Sequence, residues 1–349
     1  MTEAHTIDAF PTVSLHNVRH LAEPPWTDGE GSDGRRLDRV PPAVASELNV
    51  AARERVRHPS GCEIRFVPEG AATVSVTLSA ADATLVRPFW GAFQGEDPVE
   101  ISPEPTTLEL SIPEPLRAFD REAGDAGAFD PRVCRLRFEP WIPVALHGVA
   151  GECRPPEPDE LPDRRYLAYG TSITEGAAAT ATHLTYVARA ARRAGLDPLN
   201  LGMSGSAFCE PVVADHVADR DDWDVATLAL SVNMANRGFT VEQFRERATY
   251  LVETVAASAP DRPVVAVSLL PYFADLRTDG DRERAEAFRD TLAQIVSECE
   301  RGRVTLVDGR ELLAGPGLTT DLIHPGDAGM EDIGTGLASA LGSVLDGGI

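Results

Sequence analysis

The chain has 349 residues, 43% of them hydrophobic, so it is long enough to bury a sizeable core and to form two domains. It carries 55 acidic residues against 32 basic ones, for a formal net charge of −23, and every basic residue is Arg. Such a charge excludes two polyanionic partners, nucleic acid and an anionic membrane surface. Because the acidic residues are spread along the whole chain and Lys is absent, the composition favours halophilic adaptation over an acidic interaction tail.

The cysteines and the N-terminal residues bear on whether the protein is disulfide-bonded, zinc-binding, secreted or membrane-bound. The five cysteines are an odd number without a CxxC pair, so neither a disulfide framework nor a zinc site is expected. The N-terminal residues show no basic region followed by an apolar run and no twin-arginine signal, and no apolar run is long enough to span a bilayer. A cytoplasmic protein is therefore expected.

The first part of the chain shows period-two alternation of apolar and polar residues, beginning at Ile64 and Phe66. This pattern is typical of antiparallel strands with one buried face and one solvated face. Several such strands, separated by Pro- and Gly-rich turns, predict an N-terminal β-sandwich, jelly-roll-like, over residues 1–155. The other alternating segments are 74–78, 108–112 and 134–138.

The pattern changes after a Pro- and acid-rich stretch, residues 153–163, which is predicted to lack regular structure; 156–163 is interpreted as a linker. In residues 164–349, short apolar strands alternate with helical patterns, which indicates an α/β domain with a parallel sheet covered on both faces. Thr240 with Gln243 predicts a capping box, and Gly195 predicts a helix end. The predicted strands are 166–169, 198–201, 225–230, 264–269 and 304–307, and the predicted helices are 183–194, 241–257, 282–300 and 328–345.

Polar residues follow four of these strands and are the ones that acyl transfer needs. Reactive groups collect beyond the carboxyl ends of strands in an open parallel sheet. The hydroxyl of Ser172 requires a base to act as a nucleophile, and His324 could be that base. Asp321 could hold the imidazole tautomer and stabilise the imidazolium. The N–H groups of Ser172 and Gly205 and the amide of Asn233 could bind the oxyanion of the tetrahedral intermediate.

The four segments that contain Ser172, Gly205, Asn233 and the pair Asp321 and His324, in this order along the chain, resemble the motifs of the SGNH, or GDSL-type, hydrolase family. The resemblance covers about residues 164–349 and implies a three-layer, flavodoxin-like catalytic domain. It also implies that Ser172 is the nucleophile, that Gly205 and Asn233 belong to the oxyanion hole, and that Asp321 and His324 complete the catalytic set.

The first of these segments, Gly-x-Ser-Ile-Thr at residues 170–174, and the predicted sandwich before it resemble a subgroup of the family with an N-terminal sandwich domain. This subgroup includes an acyltransferase of antibiotic tailoring. Some positions depart from the family pattern. Thr171 stands where the family name implies Asp, and Ser231 and Met234 stand where many members have Gly and Asp. Gly202 competes with Gly205 for the oxyanion role, and Gly205 is preferred because it follows a serine, as in the family's Ser-Gly pair.

Each of these residues also has a plainer interpretation. Ser172 alone could cap a helix, and Asn233 could be a turn residue after a strand. Asp321 and His324 could be metal ligands, but a metal site wants three or more ligands and no other His lies near them in sequence. Ser204 lacks the second glycine of Gly-x-Ser-x-Gly, so an α/β-hydrolase nucleophile elbow is not supported.

The sequence therefore predicts a serine-dependent carboxylic ester hydrolase that forms an acyl-enzyme on Ser172 and needs no cofactor and no metal. An acyltransferase that uses an alcohol acceptor at the same site is the alternative, and a carbohydrate-binding or assembly protein with an inactive hydrolase domain is a third. The expected partner is a small-molecule ester, such as an acylated sugar or natural product, and the chain could also form a homodimer. The irregular segment 271–280 either lines the acyl pocket or is a plain connecting loop.

Overall fold

The computed structural model describes residues 9–26, 34–95, 97–120 and 127–347. The chain divides into two compact units: unit 1 comprises Met1–Pro42 and Val56–Asp163, and unit 2 comprises Ala43–Arg55 and Arg164–Ile349. Unit 2 is therefore discontinuous in sequence. Its N-terminal piece carries two short helices, α1 (Pro42–Glu47) and α2 (Val50–Arg55).

Within the described residues, unit 1 is built from antiparallel strands and one short α-helix, α3 (Glu114–Arg117). Its strands are β1 (Ser14–His16), β2 (His20–Ala22), β3 (Arg35–Asp38), β4 (Glu63–Pro68), β5 (Val74–Ala80), β6 (Thr84–Trp90), β7 (Phe93–Gln94), β8 (Val99–Ile101), β9 (Thr106–Leu110), β10 (Cys134–Phe138), β11 (Val144–Ala150) and β12 (Cys153–Arg154). One sheet has the order β1-β4-β10-β6-β7, with β12 beside β4 and β8 beside β6. The other has the order β2-β3-β11-β5-β9.

The two sheets of unit 1 contribute to one hydrophobic core. Ile64 and Phe66 of β4 are fully buried in it together with Val76 and Leu78 of β5. The alternation in the sequence arises from this burial, because every second side chain of a strand points to the same face. The prediction of an antiparallel, β-rich first part is thus confirmed.

The charged face of the first sheet is not solvated, and here the expectation from alternation is wrong. Glu63 and Arg65 of β4 and Arg135 and Arg137 of β10 are all buried. The carboxylate of Glu63 lies 2.8 Å from Arg65 Nε, 2.6 Å from Arg135 Nη2 and 3.2 Å from Arg137 Nε. The ring of Phe129 lies 3.6 Å from the guanidinium carbon of Arg135. The Glu63 carboxylate offsets part of the cost of burying the three guanidinium groups, and the order of apolar and polar residues cannot reveal this contact.

Replacing Glu63 should destabilise unit 1 strongly. Burial alone would raise the pKa of the Glu63 carboxyl, but the charges of Arg135, Arg65 and Arg137 outweigh it and hold the pKa well below its ordinary value. Glu63→Gln leaves three buried cations without their counter-charge, so we expect the free energy of unfolding at neutral pH to fall by about 3–5 kcal/mol. Denaturant titration of both proteins measures this difference.

The same ion cluster predicts a pH dependence. A carboxyl group with a lowered folded-state pKa contributes stability that is fully present above its unfolded-state pKa and is lost as pH falls toward the folded-state value. The gap in unfolding free energy between wild type and Glu63→Gln should therefore narrow in acid. A gap below about 1 kcal/mol at neutral pH would contradict this account of the cluster.

The stretch 153–163, predicted to lack regular structure, is ordered in part. β12 pairs with β4, and a 3₁₀ turn spans Pro158–Glu160. The proline begins that turn, where its missing N–H costs nothing. Glu160 is buried and accepts hydrogen bonds from both terminal nitrogens of Arg154, at 2.7 and 2.8 Å. This ion pair holds the stretch in place where composition alone indicated a free linker.

Unit 2 contains one sheet of five parallel strands, all of which the sequence predicts to within one or two residues at each end. They are β13 (Arg165–Gly170), β14 (Asp197–Gly202), β15 (Val225–Ala229), β16 (Pro263–Val267) and β17 (Arg303–Val307). Their spatial order is β14-β13-β15-β16-β17. Counted within the unit this order is 2-1-3-4-5, with the reversal of direction between β13 and β15, where ligands bind in such sheets.

Helices cover this sheet on both faces. They are α4 (Ser172–Glu175), α5 (Tyr186–Ala194), α6 (Pro211–Ala218), α7 (Val232–Asn236), α8 (Val241–Ser258), α9 (Phe273–Leu276), α10 (Arg282–Glu298), α11 (Gly309–Leu312) and α12 (Asp327–Leu345). α5 and α12 pack together and share a core with Tyr166 and Val265. Leu167 and Val264, which point the opposite way, are equally buried, and α8 and α10 contact the sheet. Within the described residues, none of these helices combines the length and the apolar character needed to cross a membrane.

The helix ends follow local chemistry. Thr240 and Gln243 form the predicted capping box at the start of α8, with hydrogen bonds of 3.2 and 2.9 Å. Gly195 ends α5 in the left-handed conformation, at φ 66°. The helix predicted from residue 183 begins only at Tyr186, because Thr185 accepts a hydrogen bond from the Ala188 N–H and caps α5 at that point.

Candidate active site

Ser172 is the first residue of α4, directly after β13, and its side chain is nearly buried. Two glycines that pair across β13 and β14, Gly170 and Gly202, let α4 approach the sheet this closely. A Cβ on Gly170 would collide with Thr174 Oγ1, and one on Gly202 would collide with the backbone of Glu175. Gly170 does not have a left-handed φ, so the close packing of α4, and not an unusual backbone conformation, requires a glycine there.

Ser172, His324 and Asp321 form one continuous chain of hydrogen bonds. Ser172 Oγ lies 2.9 Å from His324 Nε2, and His324 Nδ1 lies 2.7 Å from Asp321 Oδ2. The other carboxylate oxygen, Asp321 Oδ1, accepts from the N–H groups of Ile323 and His324 and from the hydroxyl of Thr319, each at 2.9 Å. The structure thus brings together three residues that the sequence separates by up to 152 positions.

These hydrogen bonds determine the charge of Asp321 and the tautomer of His324. Burial would raise the pKa of the Asp321 carboxyl, but the hydrogen bonds from His324, Ile323 and Thr319 outweigh it and hold the pKa well below its ordinary value. An ionised carboxylate at Nδ1 favours the tautomer with its proton there. The lone pair of His324 Nε2 then faces the Ser172 hydroxyl, which is the arrangement that a general base needs.

The loop after β14 distinguishes between the two candidate glycines. From Gly202 to Ala207, every backbone N–H except that of Gly205 has an acceptor within the part of the chain that the structure describes. The Gly202 N–H donates to Asn200 Oδ1 at 2.8 Å, so it is already committed. Gly205 has φ 66° and is only partly buried, so its N–H is the one left for a ligand.

Asn233 lies on α7, just beyond β15, and its side chain is nearly buried. Its Oδ1 accepts the Ala207 N–H at 3.2 Å, so its Nδ2 is the end that remains to donate. No acceptor for that Nδ2 is present among residues 9–26, 34–95, 97–120 and 127–347. One hydrogen bond therefore ties the loop that carries Gly205 to the residue predicted beside it in the oxyanion hole.

Ser231, which precedes α7, has an unfavourable backbone conformation. Its φ is 94° and its ψ is −34°, which is strained for any residue with a Cβ. Its hydroxyl donates to the carbonyl of Leu230. The strain lies two residues from Asn233, at the position where many members of the resembled family have Gly.

Ser231→Gly should relieve this strain and stabilise the protein. We expect the free energy of unfolding to rise by about 1 kcal/mol, because the relief exceeds both the greater backbone entropy of unfolded Gly and the lost hydroxyl contact. Thermal unfolding would then shift upward by roughly 2–4 °C. Ser231→Ala is the matched control, since it loses the same hydroxyl and keeps the strain, and it should not stabilise. Equal stability of the two variants would show that strain is not the cause.

A small apolar cavity of about 30 Å³, large enough for one or two water-sized groups, is lined by sequence neighbours of the candidate site residues. Thr171 and Ile173 flank Ser172 along its wall, and Ile323 precedes His324 there. Segment 271–280, which contains α9, contributes to the wall through its first two residues. The other lining residues are Thr174, Tyr186, Ala229, Leu230, Val232, Val267, Ser268, Leu269, Leu270, Pro271, Tyr272, Ile333 and Leu337.

Several side chains that support the site were not assigned a role from the sequence. Glu175, three residues after Ser172 on α4, accepts from the Ser204 N–H at 2.6 Å. Glu210 accepts from the backbone N–H of Asn49 at 2.8 Å. The spacing of Glu175 from Ser172 was a usable signal, because residues three apart lie on one side of a helix. Asn49 gave no such signal, because it lies 161 positions from Glu210.

Comparisons with known proteins agree with this geometry. The family described as GDSL-like lipase/acylhydrolase matches residues 168–331. No curated protein is similar enough in sequence to count as a relative.

Solved structures share the fold over nearly the whole chain at low identity. One is the salicylyl-acyltransferase SsfX3 from a tetracycline biosynthetic pathway, with 17% identity, coverage of 97% of this chain and 95% of that chain, and a TM-score of 0.76. Another is a putative GDSL-like lipase from Bacteroides ovatus, with 18% identity, 96% and 98% coverage, and a TM-score of 0.63. A third is a family two carbohydrate esterase from Cellvibrio japonicus, with 12% identity, 97% and 96% coverage, and a TM-score of 0.64.

These likenesses show the fold, and the matched family covers all four predicted motif segments. Residues 168–331 thus form a GDSL-like lipase/acylhydrolase domain.

Proposed function

We propose that the protein is a serine-dependent carboxylic ester hydrolase that works through an acyl-enzyme on Ser172. The observation that carries the proposal is the unbroken hydrogen-bonded chain from Ser172 Oγ through His324 to the Asp321 carboxylate. A hydroxyl in contact with a base, and a base oriented by a carboxylate, are the parts that acyl transfer requires. The match of residues 168–331 to the GDSL-like lipase/acylhydrolase family supports the same chemistry.

In the first half of the proposed reaction, Ser172 Oγ attacks the ester carbonyl carbon while its proton passes to His324 Nε2. Asp321 stabilises the imidazolium that forms. The N–H groups of Ser172 and Gly205 and the Nδ2 of Asn233 bind the resulting oxyanion. When the tetrahedral intermediate collapses, the alcohol leaves with the proton from His324, and the acyl group remains on Ser172.

In the second half, His324 activates water, which releases the acid and restores Ser172. An alcohol could take the place of water, which would make the protein an acyltransferase. The likeness to a salicylyl-acyltransferase over 97% of the chain favours keeping this second candidate. The two activities differ in which nucleophile reaches the acyl-enzyme, because both use the same catalytic residues.

Competition between water and alcohols separates the two candidates. The protein would receive activated acetyl, butyryl and octanoyl esters with rising concentrations of glycerol, a monosaccharide or a phenol. A hydrolase releases free acid at a rate that the alcohols leave unchanged, whereas an acyltransferase forms new ester at the expense of free acid. The small apolar cavity lined by Thr171 and Ile173 supports a short, uncharged acyl group, so we expect the shorter esters to react fastest.

The proposal also covers the domain architecture, the location, the oligomeric state and the substrate class of the protein. The single core of the two sheets in unit 1 supports a jelly-roll-like sandwich, and a three-layer flavodoxin-like arrangement fits the strand order of unit 2. The net charge of −23 and the absence of Lys support a cytoplasmic protein adapted to high salt, and a homodimer remains part of the proposal. The substrate class is a small-molecule ester such as an acylated sugar, in keeping with the esterase likeness.

A further inference from the structure

The loop between β14 and α6 carries Gly205, and side chains from a distant part of the sequence hold its carbonyl groups. Arg55 Nε donates to the carbonyl of Ser204 at 3.2 Å. Asn49 Nδ2 donates to the carbonyl of Ser206 at 3.0 Å. These two carbonyls flank Gly205 on either side. Both donors lie in the 43–55 piece of unit 2. This piece was not part of the α/β domain predicted over residues 164–349.

The contact of Arg55 fixes the direction of the Gly205 N–H. The Ser204 carbonyl and the Gly205 N–H belong to one peptide group, which is planar, so the two bonds point in opposite directions. A hydrogen bond that anchors the carbonyl therefore also aims the N–H. Gly205 needs such an anchor, because a glycine at φ 66° offers little resistance to rotation of that peptide. A hydrogen bond to the carbonyl also polarises the peptide and strengthens its N–H as a donor.

The contact of Asn49 acts in the same way on Asn233. The Ser206 carbonyl and the Ala207 N–H share a second peptide group, and the Ala207 N–H donates to Asn233 Oδ1 at 3.2 Å. Anchoring the Ser206 carbonyl thus fixes the N–H that orients the Asn233 amide. The result is that Asn233 Nδ2, the other end of the amide, keeps one direction.

The side chain of Asn49 is itself held in place, because each of its polar atoms makes a hydrogen bond. Its Nδ2 also donates to Glu210 Oε2 at 3.1 Å, and its backbone N–H donates to Glu210 Oε1 at 2.8 Å. Its Oδ1 accepts the Ala52 N–H at 3.0 Å and so caps α2. A side chain with every hydrogen bond made has one orientation, which is what a support for a catalytic loop must provide.

We propose that Asn49 and Arg55 are positioning residues for acyl transfer, which aim the Gly205 N–H and the Asn233 amide at the developing oxyanion. This inference rests on the proposed function, because the Gly205 N–H and the Asn233 amide bind an oxyanion only if the protein carries out acyl transfer. Preorganised donors contribute mainly in the transition state, so their loss lowers kcat more than it changes KM.

The test uses the full chain and a small activated ester. Asn49→Ser keeps an acceptor that can cap α2 but is too short to reach the Ser206 carbonyl, so it removes the clamp and leaves the helix start intact. Arg55→Ala removes the other clamp, and Arg55→Lys keeps a donor on a flexible stem. We expect each of the first two variants to lower kcat about tenfold or more with KM nearly unchanged, and Arg55→Lys to recover part of the loss.

The matched control comes from the same segment. The hydroxyl of Ser46 is exposed and bonds only to the carbonyl of Ala43 within α1, so Ser46→Ala should keep wild-type kcat. Labelling by a fluorophosphonate provides a second readout. Its rate should fall in Asn49→Ser and Arg55→Ala in proportion to kcat, with an unchanged pH profile, because neither residue exchanges a proton in the reaction.

The outcomes separate this inference from the proposed function. If Ser172→Ala is inactive while Asn49→Ser and Arg55→Ala keep kcat within twofold of wild type, the positioning role is wrong and the proposed function stands. A rise in KM at unchanged kcat would also overturn it, because it would place both residues in substrate binding. If Ser172→Ala retains full activity, the proposed function itself fails.

Discussion

Ser172→Ala should lower kcat for a small activated ester by at least about 10⁴-fold while the free energy of unfolding changes little. The variant removes the atom that attacks the carbonyl, and no neighbouring group can replace it in the same position. The residual rate should be the one that binding and the oxyanion donors provide without a nucleophile. Steady-state kinetics and thermal unfolding of the same preparations measure the two quantities.

Labelling identifies the reactive serine directly. A fluorophosphonate should add one phosphonyl group to wild type at Ser172 and none to Ser172→Ala, as peptide mass spectrometry would show. Ser204→Ala is the matched control, because it removes the hydroxyl at the end of the neighbouring strand, and both labelling and turnover should survive it. Failure of the probe to label wild-type protein would instead favour the third candidate, a binding or assembly protein with an inactive hydrolase domain.

Asp321→Asn should lower kcat by about 10³–10⁴-fold without displacing the turn that holds His324. The amide oxygen of Asn can still accept the N–H groups of Ile323 and His324, so the backbone geometry survives. Its NH₂ group, however, would donate to His324 Nδ1 and move the imidazole proton to Nε2. The lone pair would then no longer face the Ser172 hydroxyl, which removes the general base.

Thr319→Val is the control for this variant. It removes one of the hydrogen bonds that Asp321 Oδ1 accepts but leaves the carboxylate and its contact with His324 Nδ1. Several hydrogen bonds together hold the pKa of Asp321 below its ordinary value, so the carboxylate should stay ionised near neutral pH and kcat should fall less than tenfold. An Asp321→Asn variant no worse than Thr319→Val would mean that His324 does not depend on a charged partner.

Unit 2 was largely predictable because its sequence signals are local. The strands of the parallel sheet are short, mostly apolar segments, and α8 has a start signal at Thr240 and α5 a stop signal at Gly195. Where a start signal was missed, at Thr185, the predicted helix began three residues too early. The residues at the strand ends could be grouped because parallel strands all bring their carboxyl ends to one edge of the sheet.

Features that depend on contacts between distant residues could not be predicted in this way. The polar face of β4 was expected to be solvated because a sequence shows Glu63 as charged, and only the fold shows three Arg around it. The hydrogen bond from the Gly202 N–H to Asn200, which leaves Gly205 as the glycine with an available N–H, likewise could not be predicted, since both glycines follow the same strand. Asn49 and Arg55 lie about 150 to 160 positions from the loop that they contact.

The discontinuity of unit 2 limits how this chain can be divided or inherited. The chain passes from one unit to the other at three points, after residues 42, 55 and 163, and not at a single junction. A fragment that begins at residue 164 would keep Ser172 and His324 but would lack Asn49 and Arg55. A recombination event or an engineered domain exchange at that boundary would therefore transfer unit 2 without its 43–55 piece, so the two units are expected to have been inherited together.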